Sequence, residues 1–160
     1  MKVDLELQYA SESDTIPDSK RIEEWIRAAS PSEMDHVEVC IRVVDEEESA
    51  GLNSKYRNKQ GPTNVLSFPY DAPDFLNDTE EDDELPDDYF GDLVICAPVV
   101  EREAEQQGKS LRAHWAHMVV HGVLHLQGYD HIKDDEAQVM EDLERNILAK
   151  LGFSDPYAEQ

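Results

Sequence analysis

Five of the six histidines lie between residues 114 and 131, and the densest stretch reads His121-Gly-Val-Leu-His125-Leu-Gln-Gly128-Tyr-Asp130-His131. On a helix, positions i and i+4 point the same way, so His121 and His125 can offer two ring nitrogens to one ion. Gly128 suits the left-handed conformation that ends a helix and turns the chain back. His131 then returns as a third ligand. Three protein ligands leave one tetrahedral position open, the arrangement of catalytic rather than structural zinc. Imidazole also suits copper, nickel and iron, so ligand type favours one zinc ion without excluding those metals. One helical histidine is more often an ordinary core or surface residue. Three at this spacing, with a glycine at the turn, point to a metal. His114 lies seven residues before His121, nearly on the same face, and His117 is offset from it. Both are expected to be hydrogen-bonded or partly exposed side chains below the site, with a second metal site as the alternative.

The spacing H-x-x-x-H-x-x-G-x-x-H is also that of the metzincin proteases. Their Glu, which follows the first His and activates water, is here Gly122. Glycine has no proton-transfer chemistry, so a peptidase would lack its base. A metal can still lower the pKa of water without it. The residues therefore read as a metal-dependent hydrolase, with a metallopeptidase as the lesser alternative.

These side chains need a scaffold. Val3, Leu5 and Leu7 alternate as in a half-buried strand, and Val37, Val39, Ile41 and Val43 form one face of a strand over 36–44. Asn64–Phe68 and Asp92–Ala97 read as two more, making four. Ile22, Trp25, Ile26 and Ala29 recur at helical spacing in a helix ending near Ser30-Pro31. Asp45–Lys55 is a second helix. Pro98 opens a third that closes at Gly108. Ser110 caps a fourth, running to about Gln127 and carrying His121 and His125. Asp134 caps the last, which turns Ala137, Met140, Leu143, Ile147 and Leu148 inward and closes at Gly152. Strands mixed with helices, and helices collected at the C-terminal end, predict an α+β fold in one domain spanning 1–160.

No apolar run approaches the ~18 residues of a membrane span, and no signal peptide is readable. Cys40 and Cys96 sit in strand-like runs without CxxC spacing. They read as buried thiols of a protein in a reducing compartment, expected to be cytoplasmic. The net charge of −23 is unusual for a protein that grips nucleic acid. Ten of the acidic residues fall in 71–90, which holds no Lys or Arg and reads as a solvated acidic loop. Such a surface repels wrong anions or attracts a basic protein partner.

The histidine stretch resembles the signature of the YbeY family of bacterial endoribonucleases. Two further stretches carry the likeness. One is Leu52-Asn53-Ser54-Lys55-Tyr56-Arg57 followed by Pro62-Thr63-Asn64-Val65-Leu66-Ser67-Phe68-Pro69, and the other is Gly91-Asp92-Leu93-Val94-Ile95. Their order and separation are similar too, over roughly residues 35 to 155. The tail with Asp155-Pro156-Tyr157 is similar to that of enterobacterial and related members. The acidic loop is longer or more acidic than typical. The resemblance implies a small mixed sheet with surrounding helices, and zinc on His121, His125 and His131. It implies hydrolysis of single-stranded RNA, with roles in ribosomal RNA 3′-end maturation and ribosome quality control. The implied partners are small-subunit ribosomal proteins and ribosome-assembly GTPases. The family's functionally important arginine falls on Arg57. A guanidinium there suits a phosphate, and Lys55 and Lys59 make the segment locally basic. Asp130 and, with less support, Asp92 are candidates for orienting a ligand or moving a proton. A reading from another class is a ribosome-assembly factor whose contacts matter more than its chemistry, which the acidic charge favours.

Overall fold

The computed structural model describes residues 2–69, 89–129 and 134–157. Most of the expected acidic loop, together with Asp130 and His131, lies outside the described residues. In chain order the elements are β1 (Lys2–Ala10), α1 (Ser19–Ala29), β2 (His36–Val44), α2 (Glu46–Arg57), β3 (Val65–Pro69) and β4 (Tyr89–Cys96). Three helices follow: α3 (Ala97–Gln107), α4 (Leu111–Leu126) and α5 (Asp134–Lys150).

The four strands form one mixed sheet in the order β1-β2-β4-β3. β1 and β2 are parallel, β2 and β4 are parallel, and β3 runs antiparallel to β4. The α+β expectation with a small mixed sheet holds. Period-two alternation assigns the faces. Val37, Val39, Ile41 and Val43 of β2 and Leu93 and Ile95 of β4 join the main core. Val44, Val94 and Cys96 point the other way, with Leu66 of β3, against Leu52 of α2. So α2 covers one face, while α1 and α4 fill the other. Cys96 is buried as expected, but Cys40 is only half-buried, because its side chain faces away from the main core.

The helix ends follow local chemistry. Asp18 caps α1 by accepting from the Arg21 amide at 2.9 Å, and Ser110 caps α4 by accepting from the Ala113 amide at 3.1 Å. α3 stops at Gly108, whose φ of 66° glycine adopts without the steric cost of a Cβ. β4 begins at Tyr89, earlier than the expected Asp92, and Phe90 packs into the main core.

α4 is the central helix. Trp115, Ala116, Val119, Val120 and Val123 are fully buried. Gly122 faces β4. A Cβ at that position would lie 2.7 Å from Leu93 Cδ2 and 2.9 Å from Leu93 Cδ1. Leu93 is itself fully buried, so it has no open space to swing into. The expected glycine cost in a helix is therefore accepted for close packing. Gly122→Ala adds helix propensity of about 1 kcal/mol but overpacks the core, at a cost of about 1–3 kcal/mol. We expect a lower urea midpoint for this variant; an unchanged or raised midpoint would show that Leu93 gives way freely.

Candidate metal site and cleft

α4 is apolar nearly all round, and eleven of its sixteen residues are buried, so its polar side chains must find partners inside the protein. His114 and His117 are both buried rather than partly exposed, and both are hydrogen-bonded as expected. The His114 Nε2 lies 2.9 Å from Glu103 Oε1 on α3. The His117 Nε2 lies 2.6 Å from Glu144 Oε1 on α5.

Glu144 is the residue that sequence reasoning missed. It is fully buried and gathers three groups. Its Oε1 meets His117 Nε2 and accepts from the Tyr157 hydroxyl at 2.8 Å, while its Oε2 stands 3.1 Å from His121 Nδ1. Burial alone would raise this carboxyl, but hydrogen bonds from His117 and His121 outweigh it and hold the group at about 2. Burial lowers His117, favouring its neutral form, and raises Tyr157, which stays protonated and donates. A signal for Glu144 was present: it lies four residues from both Met140 and Leu148, on the inward stripe of α5.

The sequence-predicted ligands His121 and His125 are brought together, with their Nε2 atoms 3.1 Å apart. Two nitrogens bound to tetrahedral zinc at ~2.0–2.1 Å stand roughly 3.3 Å apart. The spacing thus fits a shared ion. His131 lies outside the described residues. His117, His121 and Glu144 also bring ligand-type atoms within 4.8 Å of one another, so this end of the protein holds a group able to bind a metal.

His121 and His125 line a cleft of about 670 Å³ whose other wall comes from the end of α2, the loop after it and β3. Arg57, Lys59, Asn64 and Ser67 line that wall. Asn58 ends α2 in the left-handed conformation, with φ of 58°. The loop is then pinned by Asn53, which donates to the Gly61 carbonyl at 2.9 Å, and by Ser49, which donates to the Thr63 carbonyl at 3.0 Å. Arg57 Nη2 donates to the Ser67 carbonyl at 2.5 Å, and its guanidinium lies over the Phe68 ring at 5.3 Å. The guanidinium has five N–H donors, so this bond holds it in place without exhausting it. Asp92 does not join the cleft's described lining. It is exposed and alternates with Leu93, so it faces the side of the sheet away from α4.

The fold and the site together define an α+β protein with a metal-competent histidine group facing a cationic wall across one cleft. Residues 6–152 match the family model described as endoribonuclease YbeY. The chain is 58% identical over 157 residues to the endoribonuclease YbeY of Methylococcus capsulatus, covering 98% of this chain and 97% of that protein. It belongs to the endoribonuclease YbeY family, hydrolases that act on RNA phosphodiester bonds. A Thermotoga maritima protein of known solution structure shares the fold, with a TM-score of 0.54 and 23% identity over 96% of this chain and 99% of that one.

Glu103 anchors the cleft wall to α4. It accepts from Asn64 Nδ2 at 3.1 Å as well as facing His114. Burial would raise its carboxyl, but the bonds from His114 and Asn64 prevail and lower it. A carboxyl lowered on folding adds stability above its unfolded pKa and loses it as pH falls through its folded value. We therefore expect the urea midpoint to fall on acidification below about pH 4.5, and Glu103→Gln to flatten that fall. An identical acid limb in both proteins would remove Glu103 from this role.

Proposed function

We propose that the chain is a zinc-dependent endoribonuclease specific for single-stranded RNA, acting in ribosomal RNA 3′-end maturation and ribosome quality control. His121, His125 and His131 hold one ion, and Arg57 holds the phosphate. The observation that carries the reading is the His121–His125 nitrogen pair, 3.1 Å apart in a cleft that Arg57 also lines. When bound, zinc supplies positive charge that polarises a phosphoryl oxygen and lowers the pKa of water. Arg57 is pre-oriented by Ser67 and Phe68, so it can stabilise phosphoryl charge with little reorganisation. Lys59 adds positive charge on the same wall.

The proposed partners are single-stranded and ribosomal RNA, small-subunit ribosomal proteins and an assembly GTPase, in the cytoplasm. A net charge of −23 disfavours tight binding of free RNA and favours docking on basic proteins. That same charge supports the second reading, an assembly factor acting mainly by binding. Among the described residues no helix is long and apolar enough to cross a membrane. A peptidase finds no support. The family is one of ribonucleases, and Gly122 offers no base and is packed against Leu93.

The test is cleavage of a labelled single-stranded RNA by metal-replete protein beside His125→Ala. Loss of both zinc and cleavage in the variant is expected; full cleavage by the metal-free variant would sink the proposal. Arg57→Ala should cut turnover roughly a hundredfold or more with zinc content unchanged, and normal turnover would remove Arg57 from the mechanism. Salt-sensitive co-sedimentation of His125→Ala with small subunits is expected if docking is independent of the metal. No co-sedimentation at low salt would count against the ribosomal partners.

A further inference from the structure

We infer that a chain of contacts running from the C-terminal tail through Tyr157 and Glu144 sets the tautomer of His121, so that a nitrogen lone pair faces the cleft. The inference rests on the reading of His121 as a metal ligand and adds Glu144 and Tyr157 as positioning residues.

A buried carboxylate only accepts hydrogen bonds. Each group that meets Glu144 must therefore present a proton to it. His117 Nε2 and the Tyr157 hydroxyl do so at Oε1, and His121 Nδ1 does so at Oε2. A neutral imidazole carries one N–H. With that proton held on Nδ1 by Glu144, His121 Nε2 is left as a lone pair, directed toward His125 Nε2 at 3.1 Å. Metal binding requires such a lone pair, and the other tautomer would aim a proton at the ion.

The tail completes the arrangement. Arg145, the residue after Glu144 on α5, pairs with Asp155 at 3.1 Å and lies over the Tyr157 ring at 5.2 Å. Asp155 also accepts from the Tyr157 amide at 2.8 Å. One helix thus carries both the carboxylate and the anchor for the turn that brings the tyrosine hydroxyl to it.

Glu144→Gln tests this sharply, because an amide has one oxygen and one NH2. Two donors meet at Oε1, so the amide oxygen takes that position and the NH2 turns toward His121. A donor facing Nδ1 drives the proton of His121 onto Nε2. Long-range proton–nitrogen NMR of the metal-free protein should show Nδ1–H for His121 in the parent and Nε2–H in Glu144→Gln. Chelator competition should show one zinc per chain in both, held about 10–100-fold more weakly by the variant. Tyr157→Phe keeps the ring and removes one donor, and a several-fold weaker zinc affinity is expected.

An unchanged His121 tautomer in Glu144→Gln overturns the inference. If that variant does not fold, unchanged zinc affinity in Tyr157→Phe overturns it. Complete loss of zinc from Glu144→Gln, with zinc retained by His125→Ala, would also overturn it by making Glu144 a ligand. A parent that binds no zinc but still shows the tautomer switch would sink the metal reading and leave the positioning chain standing.

Discussion

Burying imidazoles is the constraint that organises this protein. α4 is enclosed on nearly every side, yet it carries four histidines. A polar atom left without a partner in such a place costs about 1–3 kcal/mol. The neighbouring helices answer at one nitrogen of each ring with a carboxylate, Glu103 from α3 for His114 Nε2 and Glu144 from α5 for His117 Nε2 and His121 Nδ1, while Nδ1 of His114 and of His117 stays without a partner among the described residues. α3 and α5 are therefore fixed to α4 by direction as well as by apolar contact. Interdigitated apolar side chains already resist sliding of one helix over another, and a carboxylate held between two ring nitrogens adds a constraint on direction. These bonds act on the helix that carries His121 and His125, so they add to the apolar packing that fixes which way those side chains face.

The charge distribution has a related logic. The chain is strongly acidic, but the wall facing the histidines carries Arg57 and Lys59. Local positive charge in a cleft of a negative protein concentrates attraction for a phosphate at one place and repels polyanions elsewhere. Such a distribution suits one backbone phosphate better than a strand laid over a long surface. Arg57 is also held by contacts of its own, to the Ser67 carbonyl and the Phe68 ring, so its direction does not depend on the substrate.

Much of the scaffold was legible because it is local. The period of two in 36–44 and the capped run beginning at Ser110 each depend on residues a few positions apart. The His121–His125 meeting was legible for the same reason, since i and i+4 lie on one helix face. The supporting carboxylates were not. Glu144 is 27 residues from His117, and Glu103 is 11 residues before His114; no local period links them. The inward stripe of α5 contained a clue, a glutamate flanked by Met140 and Leu148. An acidic residue on an apolar stripe signals a partner but does not name it. Asp92 illustrates the converse: it lies within one of the quoted motifs yet faces away from α4, because neighbouring strand residues point to opposite sides.

The glycine between the two halves of the histidine motif shows why ligand spacing alone does not fix a reaction. The position after His121 is the one that carries the catalytic glutamate in the metzincin spacing. In this packing that position meets Leu93 on β4, and there is no room for even one added carbon without displacement. A glutamate base of the peptidase kind would need both the side chain and the space to reach a cleft, and neither exists here. Any group that assists proton movement must come from another element. Among the described residues, the opposite wall, built by α2, its following loop and β3, is cationic and lined by amides and hydroxyls rather than carboxylates. Such a wall is suited to holding a phosphate and spreading its charge, which is the main protein contribution that phosphoryl chemistry requires. The same histidine spacing is thus compatible with a different reaction, because close helix–sheet packing leaves no place for that base and the facing wall carries Arg57 and Lys59.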